Sequence, residues 1–474
     1  MKKVISKTLA FALLLSTSTF SSCGNNGIFS TKKSNVLRVA SWDEYIDMGG
    51  EFYADDDENP ELMAFKAWYK ETFGITLSET TKPLSEEFVD WYHANYKDSE
   101  NYQKDLVLQY IPLQDNETMY NKIKMGDRYD LLCPSEYMAM KLKEEGLLIP
   151  YNTLFDESIE NNHYVKNASK YSKSIFESAG LSEYIAGYMW GTTGFVFNPN
   201  KIGESVADAR EIMKSWSALY SAELKNKITA KDNARDSYFM GLGMHYEQQL
   251  LQLKQEYNAG KLTKSEYQQA LSDKMNDTNK STTDKVKELL KKMRKNVYGL
   301  ETDEGKMDVV TGLLDASYQW SGDAVYMINE AEFYDLELEY SIPESASNIW
   351  FDGWVMMEDA NEELAAAFIN FISMPQNVVR NMYYIGYTSC LSSEEIFDYV
   401  AFTYETDSSV DTIVPYDLSY FFGDGHILNV AEEQTRRQLF AQYPQADVTD
   451  RLVVMRYFEK EANERINRMW INIK

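Results

Sequence analysis

Cysteine and histidine are scarce in this chain, which has three cysteines and four histidines among 474 residues. Three cysteines cannot build the disulfide framework that holds many small secreted domains together. The histidines show no pair at the i, i+4 helical spacing that zinc sites use, and they give little support for a histidine-dependent triad. They are His93, His163, His245 and His426. We therefore expect no metal site, and we assign neither a cofactor nor a catalytic residue.

Positive charge is also in short supply. Lysine and arginine together number 47 against 74 aspartates and glutamates, which gives a formal net charge of −27. Such an excess repels nucleic acid and anionic membrane surfaces, and it raises the local concentration of cations. The acidity suits a cationic small ligand, although solubility alone is the other explanation, and composition leaves both open.

No apolar run near the N-terminus is long enough to span a membrane, but a shorter run is present. Lys2, Lys3 and Lys7 precede the apolar stretch 9–15, and small residues then lead to Cys23. This order is typical of an export signal. Ser21-Ser22-Cys23-Gly24 resembles the bacterial lipoprotein cleavage box, with Phe20 where leucine is usual.

That resemblance implies that residues 1–22 are removed and that the Cys23 thiol is acylated. Residues 23–35, rich in Gly, Asn, Ser, Thr and Lys, would then be a flexible tether. We expect an extracytoplasmic protein that is anchored to the cell membrane by its lipid. The alternative is an ordinary secreted protein with an incidental cysteine.

Strands and helices alternate along the rest of the chain. The pattern predicts strands at Val36–Ala40, 106–110 and 130–133. It predicts helices at 61–74, 85–98, 117–125 and from Ser135 to Gly146. This alternation predicts an α/β fold on a mainly parallel sheet, and the length favours more than one lobe. Ligands of such sheets lie beyond the carboxyl ends of the strands.

The segment 245–280 interrupts this alternation with a predicted helical hairpin. Gly260 can end the first helix, and Thr263 with Glu266 forms a capping box at the start of the second. A further helix carries Val286 and Leu290. The hairpin is either a partner surface or a decorative insertion in the second lobe.

Eight short blocks then carry a family resemblance. They occur in this order: Ser41-Trp42-Asp43-Glu44-Tyr45-Ile46, Asn116-Glu117-Thr118-Met119-Tyr120, Tyr129-Asp130-Leu131-Leu132-Cys133-Pro134-Ser135, Tyr188-Met189-Trp190-Gly191-Thr192-Thr193-Gly194, Ala234-Arg235-Asp236, Gln319-Trp320-Ser321-Gly322, Ile349-Trp350-Phe351-Asp352 and Ile385-Gly386-Tyr387-Thr388. Together they resemble the spermidine/putrescine-binding proteins of bacterial ABC importers, within the extracellular solute-binding proteins. Residues 47–110, 245–285 and the C-terminal tail match poorly.

The resemblance implies a two-lobed, type II periplasmic-binding-protein-like fold with a ligand cleft between the lobes. Lobe 1 would comprise 36–195 and 352–388, and lobe 2 would comprise 196–351 and 389–474, with crossovers near Phe195, Trp350 and Thr388. Closure of the hinge would capture the ligand. The protein would be a monomer, not an enzyme, and would deliver a polyamine to membrane permease subunits. No Walker-type phosphate loop occurs in the chain, as expected if separate subunits hydrolyse ATP.

Polyamine chemistry agrees with the residue types at the matching positions. Ammonium groups on short methylene chains need spaced carboxylates and flat aromatic faces, with each cation–π contact worth roughly 0.5–2 kcal/mol. The ligand-binding positions that the resemblance implies are Trp42, Glu44, Tyr45, Ser135, Tyr137, Asn233, Asp236, Trp320, Trp350, Asp352 and Tyr387.

The resemblance also implies a role for most of these residues. Trp320 and Trp350 would sandwich the methylene chain, and Asp352 would grip an ammonium group. Asp236 would hold one end of the ligand. Glu44, Tyr45 and Tyr137 would close over it from lobe 1, and Ser135 would add a hydrogen bond. Tyr188 and Trp190 read instead as packing residues, and Asp43 and Glu136 as helix-start carboxylates.

One position departs from the family. Asn233 stands where an acid is common, which removes a charge and leaves the choice between putrescine, spermidine and another cation open. Asp232 or Asp323 could compensate. Two other functions stay open at this point: a binding protein for another organic cation, a sugar or a metal, and an extracytoplasmic hydrolase using a carboxylate pair such as Glu44 and Asp352.

Overall fold

The computed structural model describes residues 35–55, 59–152, 154–156, 161–301, 305–406 and 412–474. The predicted export signal, Cys23 and nearly all of the predicted tether lie outside these residues. In the described ranges, no helix is both long enough and apolar enough to cross a membrane.

The described residues form fourteen strands and nineteen α-helices. The strands are β1 (Val36–Trp42), β2 (Val107–Leu113), β3 (Leu131–Leu132), β4 (Leu148–Ile149), β5 (Ile185–Phe197), β6 (Ile228–Lys231), β7 (Gly299–Glu301), β8 (Ala316–Trp320), β9 (Glu339–Ser341), β10 (Ser347–Met357), β11 (Thr388–Ser389), β12 (Ile413–Asp417), β13 (Ile427–Ala431) and β14 (Leu452–Val454). The helices are α1 (Pro60–Phe73), α2 (Leu84–Tyr96), α3 (Asn116–Met125), α4 (Glu136–Glu144), α5 (His163–Asn167), α6 (Lys170–Ser178), α7 (Val206–Ile212), α8 (Ala234–Asn258), α9 (Lys264–Met275), α10 (Lys280–Arg294), α11 (Lys306–Val310), α12 (Ser321–Glu332), α13 (Glu362–Ile372), α14 (Pro375–Ile385), α15 (Glu394–Tyr404), α16 (Ser419–Phe422), α17 (Gln438–Gln442), α18 (Ala446–Thr449) and α19 (Lys460–Ile471).

Two long antiparallel strands, β5 and β10, form the centre of the main sheet. The strand order is β2-β1-β3-β10-β5-β8-β6-β7, with β4 and β14 beside β10 and with β9 and β11 beside β5. Every residue of β5 and β10 is buried, as expected for central strands covered on both faces, and the buried residues of β10 include the polar Ser347, Asn348 and Asp352. We call the part built around β1, β2 and β3 the first lobe, and the part built around β6, β7 and β8 the second.

Each lobe has a core of its own. In the first lobe, α1, α2, α13 and α14 bury an aromatic cluster in which the rings of Phe65 and Tyr383 stack with centres 3.7 Å apart. In the second lobe, α8, α9, α10 and α19 pack around Trp216 and Tyr318. A third buried cluster contains residues of both parts, among them Leu132 and Ile328.

The two-lobed α/β fold is the one expected, but the sheet is mixed rather than mainly parallel: β1 pairs in parallel with β2 and β3, and β6 with β7 and β8, whereas β5 and β10 pair antiparallel with their neighbours in the strand order.

Most predicted elements are confirmed within one or two residues. Helix α1 begins after Asn59, whose side chain accepts a hydrogen bond from the Leu62 amide, and it ends at Gly74, whose φ of 70° suits glycine. The capping box of Thr263 and Glu266 is present at the start of α9. The strands predicted at 36–40 and 106–110 are β1 and β2, which pair in parallel.

The predicted hairpin differs from the structure at its first helix. Helix α8 starts at Ala234 rather than near residue 245 and runs through Gly241 and Gly243. A Cβ on Gly243 would lie 2.4 Å from the Trp216 ring, and one on Gly241 would lie 2.4 Å from Val286. These glycines allow close packing inside the helix rather than breaking it, which the sequence alone does not reveal. Whether the hairpin is an insertion, and where the lobe boundaries lie, stay predictions.

Candidate functional site

The carboxylate of Asp352 lies at the centre of the candidate site, in the middle of β10. Its side chain is only 5% exposed. Tyr45 donates a hydrogen bond from its hydroxyl to Asp352 Oδ2 at 2.8 Å, and Trp42 donates one from Nε1 to the same oxygen at 3.1 Å. The positions of both donors follow from the topology of the sheet. Trp42 is the last residue of β1 and Tyr45 lies just beyond it, and β1 is two strands away from β10.

The second oxygen of this carboxylate, Oδ1, is buried and makes no hydrogen bond with a described residue. Nor does Asp352 form an ion pair with any lysine or arginine in the part of the chain that the structure describes. Burial raises the pKa of Asp352, and the polar groups of Ser135, Tyr45 and Trp42 act in the opposite direction. Burying an ionised carboxylate without a cationic partner destabilises the folded protein, so a cation bound beside Asp352 would stabilise it.

Ser135 reaches Asp352 through the backbone. The two residues form an isolated antiparallel bridge, which joins the start of α4 to β10. The Ser135 hydroxyl accepts a hydrogen bond from Asn116 Nδ2 at 3.0 Å, and Asn116 Oδ1 accepts one from the Ser135 amide at 3.1 Å. This pair of bonds fixes the turn that brings α4 against the carboxylate.

Aromatic rings surround the same carboxylate. The rings of Trp350 and Tyr387 have centres 5.3 Å apart, and those of Tyr45 and Tyr387 lie 6.0 Å apart, nearly perpendicular. The Trp350 indole donates a hydrogen bond to the carbonyl of Thr192 at 3.3 Å, which holds the ring against β5. A carboxylate among such rings has the chemistry of an ammonium site, because ring faces attract cations.

Glu136, read from the sequence as a helix-start carboxylate, also belongs to this region. It is the first residue of α4 and is buried, and its Oε2 accepts a hydrogen bond from the Phe351 amide at 3.2 Å. Burial, followed by the nearby charge of Asp352, raises the pKa of Glu136 to about 8. The proximity of Glu136 to Asp352 comes from the Ser135 bridge, a long-range contact that no local pattern encodes.

The raised pKa of Glu136 predicts how stability depends on pH. In the folded protein this group keeps its proton up to about pH 8, whereas the pKa of an unperturbed glutamate side chain is 4.5. The folded state therefore binds the extra proton between these values, and its stability falls as pH rises through that window, by about 1.4 kcal/mol per pH unit for one group. Urea unfolding of the unliganded protein at several pH values measures this slope.

Glu136→Gln should flatten that slope, because glutamine resembles the protonated acid. Glu144→Gln is the matched control, since Glu144 is exposed on the same helix. Equal slopes in the wild type and Glu136→Gln would contradict the assignment.

The second lobe contributes a different group of charges. Asp323, in the first turn of α12, pairs with Lys306 at 2.7 Å and with Lys231 at 3.7 Å. The ammonium group of Lys231 lies 3.8 Å from the centre of the Trp320 ring. Trp320 was predicted to hold ligand, and in the structure a cation of the chain itself covers it. Neither lysine was singled out from the sequence.

Tyr387 joins the two groups. It packs against the first-lobe core and Trp350, and its hydroxyl donates a hydrogen bond to Asp323 Oδ1 at 3.4 Å. A Cβ on Gly322 would lie 1.5 Å from atoms of the Tyr387 ring. The two lobes therefore touch here with glycine as the only residue that fits.

Asn233 and Asp236 lie together at the start of α8. Asn233 is the N-cap: its Oδ1 accepts a hydrogen bond from the Asp236 amide, and its Nδ2 donates one to Asp236 Oδ2, both at 2.7 Å. Asparagine caps a helix as well as aspartate does, so the departure from the family pattern keeps this helix start intact. Burial raises the pKa of Asp236, whereas Asn233, Lys231 and Arg235 act in the opposite direction.

Tyr137 meets α8 across the cleft. The guanidinium of Arg235 lies 3.6 Å from the centre of the Tyr137 ring, and the Tyr137 hydroxyl bonds to Glu117 at 3.2 Å. Burial raises the pKa of Tyr137 well above its usual value, the charges of Glu117, Glu136 and Asp236 act in the same direction, and Arg235 opposes them. Tyr137 is thus a point of contact between the lobes.

Glu44 is the predicted residue that stands apart. It is exposed, with a φ of 52°, and its charge adds to the burial that raises the pKa of Tyr384. Its neighbours Trp42 and Tyr45 hold Asp352 without it. Tyr188 and Trp190 are buried in β5, as expected for packing residues, and the Tyr188 hydroxyl donates to the Tyr45 carbonyl at 2.8 Å.

The sequence of the chain is similar to those of known solute-binding proteins. The family model described as bacterial extracellular solute-binding protein matches residues 117–395, more than half of the chain. A curated relative, the spermidine/putrescine-binding periplasmic protein of Salmonella typhimurium, is 26% identical over 281 residues, which are 59% of this chain and 68% of the relative.

Solved structures show the same fold. The spermidine/putrescine ABC transporter substrate-binding protein PotD from Streptococcus pneumoniae superposes with a TM-score of 0.54 at 23% identity, covering 93% of this chain and 98% of that one. The Tp0655 lipoprotein of Treponema pallidum gives a TM-score of 0.56 at 15% identity, covering 93% and 99%.

Proposed function

The chain belongs to the bacterial extracellular solute-binding protein family, and we propose that it captures a polyamine between its two lobes. The observation that carries this proposal is the free oxygen of Asp352. A buried carboxylate with one unpartnered oxygen and no ion pair among the described residues fits an ammonium group.

The rings around Asp352 support the same ligand class. Trp42 and Tyr45 orient the carboxylate through Oδ2, and Trp350 and Tyr387 offer apolar faces beside it. A methylene chain packs on such faces, and an ammonium group gains cation–π energy from them. Asp236, on the other lobe, is the carboxylate that we assign to the second amine.

The Salmonella relative is named as a spermidine/putrescine-binding periplasmic protein, which supports a polyamine as the solute that a protein of this family binds. We assign the captured polyamine to delivery at the permease of an ABC importer, with no enzymatic step in this chain. Closure of the lobes around the ligand would present a defined surface to that permease. Acylation of Cys23 would hold the protein at the outer face of the membrane.

Calorimetric titration tests the ligand class. We expect putrescine or spermidine to bind in the micromolar range or tighter, because ammonium groups satisfy buried carboxylates. Glucose, maltose and neutral amino acids should give no heat, since none of them brings a second cation. Tight sugar binding without a polyamine signal would overturn the proposal.

A further inference from the structure

Lys231 occupies an unusual place for a lysine. It is the last residue of β6 and has no exposed surface. Its ammonium group lies over the Trp320 ring, 3.8 Å from the ring centre, and donates a hydrogen bond to Gln319 Oε1. An ammonium over an indole and beside a carboxylate has the same contacts that a bound amine would have.

The carboxylate beside it is already satisfied. Asp323 pairs with Lys306 at 2.7 Å and with Lys231 at 3.7 Å, and all three side chains are almost buried. Glu301 lies behind them and accepts a hydrogen bond from Gln319 Nε2 at 2.5 Å. Among the described residues, two lysines thus lie beside two acids, Asp323 and Glu301, so neither of these acids needs a cation from a ligand.

Two other carboxylates of the cleft differ in this respect. Asp352 and Asp236 are both buried, and neither forms an ion pair within 4 Å with a described residue, although the charges of Lys231 and Arg235 act on Asp236. They belong to opposite sides of the cleft, one on β10 and one on α8. Glu136 is also buried without an ion pair, but burial raises its pKa to about 8, so it is largely protonated and uncharged at neutral pH. With Glu136 protonated, two acids without an ion pair are left, and they match a ligand with two ammonium groups.

From this arrangement we propose that Lys231 fills one amine position of the cleft and thereby selects diamines over triamines. The inference rests on the polyamine function proposed above and deepens it. A third ammonium on the ligand would have to displace Lys231 from Trp320 and Asp323, or stay desolvated without an anionic partner, which is costly. Lys231 is therefore a specificity-determining residue.

The test compares putrescine with spermidine by competition calorimetry on the full chain. The wild type should bind putrescine at least tenfold more tightly than spermidine. Lys231→Met keeps an unbranched side chain of similar length but removes the charge, so the third amine of spermidine can take its place. In that variant the affinity for spermidine relative to putrescine should rise at least tenfold.

Lys227→Met is the matched control. Lys227 directly precedes β6, is half exposed and pairs with Asp315 at 2.9 Å, so its loss changes the net charge equally without changing the Trp320 face. The ratio of the two affinities should stay at the wild-type value. A control that shifts the ratio as much as Lys231→Met would overturn the inference, because the effect would then be one of overall charge.

Other outcomes separate this inference from the proposed function. If the wild-type protein binds spermidine as tightly as putrescine, the role of Lys231 is overturned while the proposed polyamine function stands. This result does not depend on whether Lys231→Met folds. A folded Lys231→Met variant with an unchanged ratio also overturns the role of Lys231. Absence of binding by both polyamines overturns the proposed function and this inference with it.

Discussion

Replacing Asp352 with asparagine is expected to weaken polyamine binding by roughly 1.5–3 kcal/mol, the range for a lost hydrogen bond to a charged group. Asparagine keeps the volume of the side chain and can still accept bonds from Trp42 and Tyr45. It removes the charge that an ammonium group needs. Calorimetric titration of the variant gives the loss directly.

The unliganded variant should be at least as stable as the wild type, because a buried acid with a raised pKa is itself unfavourable. Asp43→Asn is the matched control, since Asp43 is exposed beside Trp42 and the charge change is equal. Unchanged affinity in Asp352→Asn, together with lower thermal stability, would make Asp352 a structural residue.

Replacing Gly322 with alanine is expected to prevent full closure of the lobes and to lower polyamine affinity at least tenfold. The added Cβ would occupy the space of the Tyr387 ring, 1.5 Å from its atoms. The second lobe itself should not suffer, because Gly322 lies in α12 and alanine favours a helix by about 1 kcal/mol. Small-angle scattering at saturating ligand should show a larger radius of gyration than the wild type.

The double variant Gly322→Ala, Tyr387→Ala provides the control for this effect. Removing the ring removes the clash, so the double variant should close further than Gly322→Ala alone. It should still bind less tightly than the wild type, because Tyr387 also contacts Trp350 and Asp323. Wild-type compaction in the single variant would mean that Tyr387 and Gly322 do not meet in the liganded state.

Local patterns were enough to predict most elements of the fold. Capping residues and turn glycines, such as Asn59 and Gly74 at the ends of α1, act within a few residues of the chain. The predicted start of the first hairpin helix was wrong, since α8 begins at Ala234 and includes Gly243, whose packing against Trp216 involves a residue distant in sequence. The sequence does not distinguish a glycine that ends a helix from one that allows another side chain to pack closely against the helix.

The candidate site was predictable to a different extent at each residue. Asp352 stood out because an acid among apolar residues demands a partner, and its burial agrees with that argument. The role of Lys231 depends on the pairing of β6 with β8, which brings it to Trp320 from a distant part of the chain. The position of Glu136 near Asp352 likewise depends on the bridge between Ser135 and β10. Such contacts follow from topology, which motifs leave open.

A crystal structure of the protein with putrescine tests the central claim most directly. An ammonium nitrogen of the ligand should lie within hydrogen-bonding distance, about 3 Å, of Asp352 Oδ1, the oxygen that accepts no hydrogen bond from a described residue. The methylene chain should run along the rings of Trp350 and Tyr387. Putrescine bound elsewhere, with Asp352 Oδ1 still without a partner, would contradict the account.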